Sequence, residues 1–287
     1  MRLSDTLSFL GDALFPPACA VCREETGTPG ALCGRCWREV AFLDGSGCVK
    51  CGRALPGTPE PGEICDECLR HPPRWRHGRA AFRYEGAGRK LVLSLKHGDR
   101  LDLAPLLAQW LARAGAPLLA EAEVVAPIPL HWRRRLKRRG NQAATLARAT
   151  CQQIGQPQLF APRLLLRTRQ TASQDGRNRA ERAENLAGAF AVTDPGVVAG
   201  RRILLVDDVL TTGATLNAAA EVCYQAGAAS VDVLVLALVV REEGAYMPEK
   251  LEDQGHEARR DLHDPDLPLL HHGQAPVGPE GHRLHRD

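Results

Sequence analysis

The chain alternates short apolar runs with helically spaced apolar positions, and this pattern predicts its elements before composition is considered. Leu3, Leu7, Leu10 and Leu14 fall on one face of a short N-terminal helix. After the Pro72–Pro73 pair, "RAAFRY" reads as a strand, and helical spacing follows in Leu91–Leu95 and Leu101–Leu111, separated by "KHGDR". A strand is predicted over 123–130 and a helix over 141–155, closed by Gly155. Segment 163–190 is polar and basic with no apolar period, which predicts a long loop. A strand at 203–207, a helix at 215–226, a turn at Gly227 and a strand at 231–240 make a βαβ unit. Strand–helix alternation over 80–240 predicts an α/β fold: a parallel sheet with helices on both faces.

Beyond residue 240 the period disappears. Segment 241–287 holds six of the ten histidines (256, 263, 271, 272, 282 and 285) with much Pro and Gly. Irregular His spacing with no helix or hairpin to fix it predicts a disordered extension rather than a metal site. The expected organisation is therefore residues 1–70, 71–240 and a tail at 241–287.

Composition changes the picture in one region. Hydrophobic content of 44%, charged content of 25% and a net charge of +3 across 287 residues are ordinary for a globular protein. That charge is too small to argue for a nucleic-acid partner by itself. No apolar run reaches membrane-span length, and Asp5 and Asp12 interrupt what would be a signal-peptide core. The expected location is cytoplasmic, or peripheral at the inner face of the membrane. Cysteine usage is the exception: eight of ten fall between residues 19 and 68, as Cys19/Cys22, Cys33/Cys36, Cys48/Cys51 and Cys65/Cys68. Two residues between thiolates let both point at one ion, and two such turns complete a tetrahedron. A reducing compartment favours metal over disulfides, so two structural zinc sites are expected. Pairing in chain order is simplest, and an interleaved pairing is the alternative. Cys151 and Cys223 sit in helical patterns and read as small core residues.

The stretch "ILLVDDVLTTGAT", 203–215, carries the most chemistry. Ligands of a parallel sheet bind outside the carboxyl ends of its strands, where Asp207 and Asp208 are expected. The turn Thr211, Thr212, Gly213, Ala214 and Thr215 opens a helix whose first N–H groups attract an anion. Hydroxyls add donors, and glycine permits close approach. A phosphate in the turn with sugar hydroxyls on the carboxylates fits this pattern. No Lys occupies the Walker position and no G-x-G-x-x-G is present, which argues against nucleotide-triphosphate and dinucleotide loops. The basic run "RRRLKRR", 133–139, beside Trp132, contains Arg133, Arg134, Lys137 and Arg138. It suits either a single-stranded nucleic-acid backbone with one stacking platform or a solvated face.

"VDDVLTTGAT" resembles the phosphoribosyl-pyrophosphate motif of type I phosphoribosyltransferases. Together with "VVAPIPLHWRRRLKRRGNQA", "RTRQTASQDGRNRAERAENLAGAF" and the four Cys pairs, it is similar to the ComF family of competence-associated proteins. The resemblance covers about residues 12–240. It implies a double zinc ribbon followed by a type I phosphoribosyltransferase-like sheet. It places Asp207 and Asp208 at the ribose hydroxyls, Thr211–Thr215 at the 5′-phosphate, and the loop Pro127, Ile128, Pro129 toward the pyrophosphate. Arg169–Phe190 then forms a hood, with Gln174, Arg179, Arg182 and Asn185 at its polar positions. The family's Arg-Gly-Phe-Asn-Gln is here Arg139-Gly140-Asn141-Gln142, without the aromatic. Mg²⁺ would accompany phosphoribosyl pyrophosphate, with Lys96, Arg133–Arg135 and Arg179 facing the pyrophosphate by charge. The implied role is uptake of single-stranded DNA in transformation. The alternatives are a salvage or biosynthetic transferase, or a scaffold docking a DNA-uptake helicase. No acceptor-binding element or glutaminase half is legible in the chain.

Overall fold

The computed structural model describes residues 16–28, 30–97, 100–130, 140–168, 186 and 188–240. The N-terminal leucine stripe, Trp132 and the basic run 133–139, the hood positions Gln174 to Asn185 and the tail 241–287 lie outside the described residues. All described residues belong to one compact unit, Met1–Pro248.

Two short helices, α1 (Gly34–Arg38) and α2 (Asp66–Arg70), begin directly after Cys33 and Cys65, the first members of the second and fourth Cys pairs. Then come β1 (Gly78–Arg83), α3 (Gly86–His97), α4 (Ala104–Ala114), α5 (Ala116–Glu121) and β2 (Val124–Pro127). The chain continues through α6 (Gln142–Gln153), β3 (Leu165–Arg167), β4 (Phe190–Val192) and α7 (Pro195–Val198). It ends in β5 (Arg202–Leu210), α8 (Ala214–Gln225) and β6 (Ser230–Leu238).

The main sheet has the order β1-β6-β5-β2, and every pairing is parallel. Strands β5 and β6 are central and apolar on both faces, as a sheet covered twice requires. Period-two alternation divides their side chains. Ile203, Leu205, Val231 and Val233 join a core with Leu216, Ala219 and Cys223 of α8. Leu204, Val206, Leu234 and Leu236 face the other way, toward Leu91 and Leu95 of α3, Leu107 and Leu111 of α4, and Leu146 of α6. Cys151 and Cys223 sit in these two cores, and burial pushes their thiols up to about 11 and about 12. They are inert packing residues, as their sequence context predicts.

Edge strand β1 would expose unpaired backbone groups, a standing risk for a sheet edge. The cysteine-rich segment covers it. Leu43 N–H donates to Ala81 O (3.0 Å), Arg83 N–H to Ala41 O (2.8 Å) and Gly78 N–H to Val49 O (2.9 Å). Gly52, at φ +77°, lies so close that a Cβ would sit 3.1 Å from Ala80 N.

Two expectations need correction. Segment 163–190 is not loop throughout, because β3 pairs antiparallel with β4, Leu165 opposite Val192 and Arg167 opposite Phe190. Three-residue strands are too short to show a period, and burial of Leu165 and Phe190 decides them. Strand β5 does not stop at residue 207 either. Its ladder with β6 runs on through Asp207 opposite Val235 to Leu210 opposite Leu238, so both aspartates lie inside the strand.

Candidate functional site

The site forms at the carboxyl ends of β2 and β5. Asp207 and Asp208 are half-buried there, and the Asp208 N–H donates to Asp207 Oδ1 at 2.8 Å. Burial first, and the neighbouring Asp208 charge second, push the Asp207 carboxyl up to about 7. Lys96, in the last turn of α3, opposes this shift and places its Nζ 3.0 Å from Asp208 Oδ1. The sequence marked Lys96 only by its charge; its pairing with Asp208 depends on α3 crossing the sheet.

After β5 the chain turns through Thr211, exposed, and Thr212, half-buried, into Gly213. Gly213 adopts φ +75°, and a Cβ there would lie 2.8 Å from Trp75 Cη2. Both facts require glycine. Gly213 is also the N-cap of α8, so Ala214 and Thr215 supply N–H groups that have no acceptor within the helix. The turn thus offers anion donors, while the strand end offers acceptors for hydroxyls or a cation.

The loop after β2 continues alongside β5. Pro127 and Ile128 are buried and Pro129 is half-buried. Ile128 N–H extends the ladder to Val206 O at 2.9 Å, and Asn141 Nδ2 donates to Ile128 O at 2.9 Å. Asn141 Oδ1 also accepts from Ala143 N (3.1 Å) as the N-cap of α6. One asparagine therefore fastens the loop and starts the helix. Gln142 follows it, almost wholly buried, and among the described residues neither carboxamide atom has a hydrogen-bond partner.

The eight N-terminal cysteines form two sets, Cys19/Cys22/Cys33/Cys36 and Cys48/Cys51/Cys65/Cys68, each with its sulfurs within 4.8 Å of one another. Pairing in chain order is therefore what the fold adopts. Cys22 Sγ lies 3.6 Å from Cys33 Sγ, and Cys51 Sγ 3.7 Å from Cys65 Sγ. A tetrahedral zinc with bonds of about 2.3 Å needs sulfurs about 3.8 Å apart, so the sets fit that ion. Backbone N–H groups of Val21 and Cys33 donate to Cys19 Sγ, as a thiolate requires. Without an ion, Cys48 ionises easily because the Cys51 and Cys68 thiols bond to its sulfur. The hydrogen bond to the Cys48 sulfur in turn holds the Cys51 thiol up at about 12. A divalent cation removes that conflict by taking all four as thiolates.

Sequence reasoning missed Trp75. The residue stands in the polar linker "HPPRWRH", and a lone tryptophan among charges was the signal available. It also missed Arg76, whose Nη2 lies 2.7 Å from both the buried Asp232 and Glu121 at the opposite end of the sheet. Among the described residues, no helix is long and apolar enough to cross a membrane.

Comparison with known proteins agrees with this architecture. Residues 10–69 match the double zinc ribbon domain family, and residues 115–261 match the phosphoribosyl transferase domain family. The chain is 33% identical over 213 residues to the DNA utilization protein YhgH of Salmonella typhimurium, covering 72% of this chain and 88% of that one. It is 32% identical over 231 residues to YhgH of Shigella flexneri, covering 77% and 96%. Competence protein F of Haemophilus influenzae is 27% identical over 212 residues, covering 72% and 90%.

Proposed function

Because the chain belongs to the ComF family of double-zinc-ribbon phosphoribosyltransferase-domain proteins, we propose that it binds phosphoribosyl pyrophosphate with Mg²⁺ and serves single-stranded DNA uptake on the cytoplasmic side. The observation that carries this reading is one continuous segment, Asp207 to Thr215, joining two carboxylates to an anion-binding turn at the end of a central strand. In this reading Thr211, Thr212, Thr215 and the first N–H groups of α8 hold the 5′-phosphate. Asp207 and Asp208 accept from the ribose hydroxyls, and Pro127–Pro129 faces the pyrophosphate. When bound, Mg²⁺ neutralises charge between pyrophosphate and ribose oxygens. Lys96 compensates the acidic pair in the free protein and is available to the pyrophosphate once ligand engages Asp208. The basic run around Arg133, Arg134, Lys137 and Arg138 supplies the contact to single-stranded DNA, and a DNA-uptake helicase is the expected protein partner.

Thermal melting with and without Mg²⁺-phosphoribosyl pyrophosphate tests the ligand. At one hundred times its dissociation constant it stabilises the protein by about 2.7 kcal/mol. Asp207→Ala, Asp208→Ala and Thr212→Val are expected to keep the fold and the metal but lose this shift. Absence of a shift in the parent at millimolar ligand would falsify the reading. Neutralising Arg134 and Arg138 is expected to flatten the salt dependence of single-strand binding.

A further inference from the structure

The second four-cysteine set and the two residues that flank the turn Thr211–Gly213 are in one core. Cys48, Cys51, Cys65 and Cys68 are all buried, and they cluster with Trp75, Leu210 and Ala214. Trp75, 3% exposed, is the link between them. Its indole N–H donates to Lys50 O at 2.6 Å, and Lys50 Nζ returns a bond to Trp75 O at 3.3 Å. Lys50 lies between Cys48 and Cys51, inside the metal turn itself. The far edge of the indole rests on Gly213, leaving no room for a Cβ. The adjacent backbone is tied as well, since Arg74 N–H donates to Asn217 Oδ1 in the first turns of α8 at 2.7 Å. Between these contacts lies a cavity of only about 50 Å³, lined by Cys51, Cys68, Trp75 and Thr211–Gly213.

We infer that Trp75 is a positioning residue for the sugar-phosphate turn, and that the second metal site, not the first, sets that turn's conformation. The inference rests on the reading of Thr211–Thr215 as the phosphate site. A left-handed glycine ahead of a helix has several accessible conformations when unsupported. The indole leaves room for one, and the indole's own place is set by the carbonyl of a residue between two metal ligands. Among the described residues the first four-cysteine set has no such path. It packs in the opposite core, with α3 and α4, and includes neither Trp75 nor any residue of the turn.

The test compares full-length Trp75→Leu, Trp75→Phe, Cys65→Ser and Cys22→Ser with the parent. Zinc content, hydrogen exchange of residues 211–217 and affinity for Mg²⁺-phosphoribosyl pyrophosphate are measured for each. Trp75→Leu is expected to retain both zinc ions, raise exchange in the turn at least tenfold and weaken affinity at least tenfold. Trp75→Phe keeps a ring but loses the bond to Lys50, and is expected to fall between Leu and the parent. Cys65→Ser is expected to lose one ion and to raise turn exchange at least ten times as much as Cys22→Ser. Equal exchange and affinity in Trp75→Leu and the parent, or equal effects of the two cysteine variants on the turn, overturns the inference. A parent that fails to bind the ligand sinks the functional reading instead. The exchange data then still decide whether ribbon and turn are coupled.

Discussion

The two metal ribbons share the Cys-x-x-Cys pair, twice in each, yet they are built into the molecule differently. In the first, Cys22 and Cys33 are half-buried, Trp37 of the adjoining α1 is 47% exposed, and Phe42 just after that helix is 39% exposed. These rings meet Trp110 of α4 edge-on, with Phe42 4.9 Å and Trp37 5.7 Å from it. In the second, every cysteine is buried, and the ribbon closes the core beneath the strand that carries the aspartates. Ligand spacing decides that a metal binds. Burial of the ligands decides how far the loss of that metal travels.

The strongest way to break this comparison is to remove one ligand from each ribbon. Cys65→Ser leaves three thiolates in a buried site and is expected to lower global stability by on the order of 4 kcal/mol, the range of lost metals. Cys33→Ser is expected to unfold its own ribbon and leave the α/β melting transition nearly in place. Metal analysis should find about two zinc ions per chain in the parent and one in each variant. A chelator is expected to remove zinc in two phases, the faster from the half-exposed first site. Equal losses of stability in the two variants would dissolve the distinction.

Two tryptophans sharpen it at the next level. Trp75→Ala empties a buried site and is expected to cost about 3–5 kcal/mol. Trp37→Ala removes a half-exposed ring whose edge contacts are worth about 1 kcal/mol. Chemical denaturation with unchanged m-values is the measurement.

The smallest effect concerns the acidic pair near the end of β5. Asp207 has a folded carboxyl near 7, above its unfolded value, so the folded state binds a proton that the unfolded state releases. Stability contributed at this site is present at low pH and declines as pH rises through the window from about 4 to about 7. Asp207→Asn is expected to flatten that decline. The gain is about 1 kcal/mol or less at pH 8, because the half-exposed group is screened by solvent. Melting temperatures at pH 5 and pH 8 check the sign. Lys96→Met should move the midpoint of the decline upward, since Lys96 holds the carboxyl down. Ligand affinity that requires ionised Asp207 is expected to rise over the same window.

Much of this molecule was written locally. Thiolate spacing, the apolar runs of β5 and β6, and the polar turn after "LLVDDVL" each express their physics within about a dozen residues, and a single chain suffices to read them. The sequence likewise determined that Asn141 could start a helix, because capping is a contact between near neighbours. Tertiary structure alone decided which ribbon lies on which face of the sheet, that Lys96 pairs with Asp208, and that Asn141 also fastens Ile128. It alone paired β3 with β4 and carried β5 through both aspartates to Leu210. These outcomes join segments far apart in the chain and are selected by total burial and satisfied backbone bonds, which no local pattern encodes. Trp75 marks the boundary: its sequence neighbours are prolines and charges, and its place between a metal turn and Gly213 exists only once the sheet has brought both together.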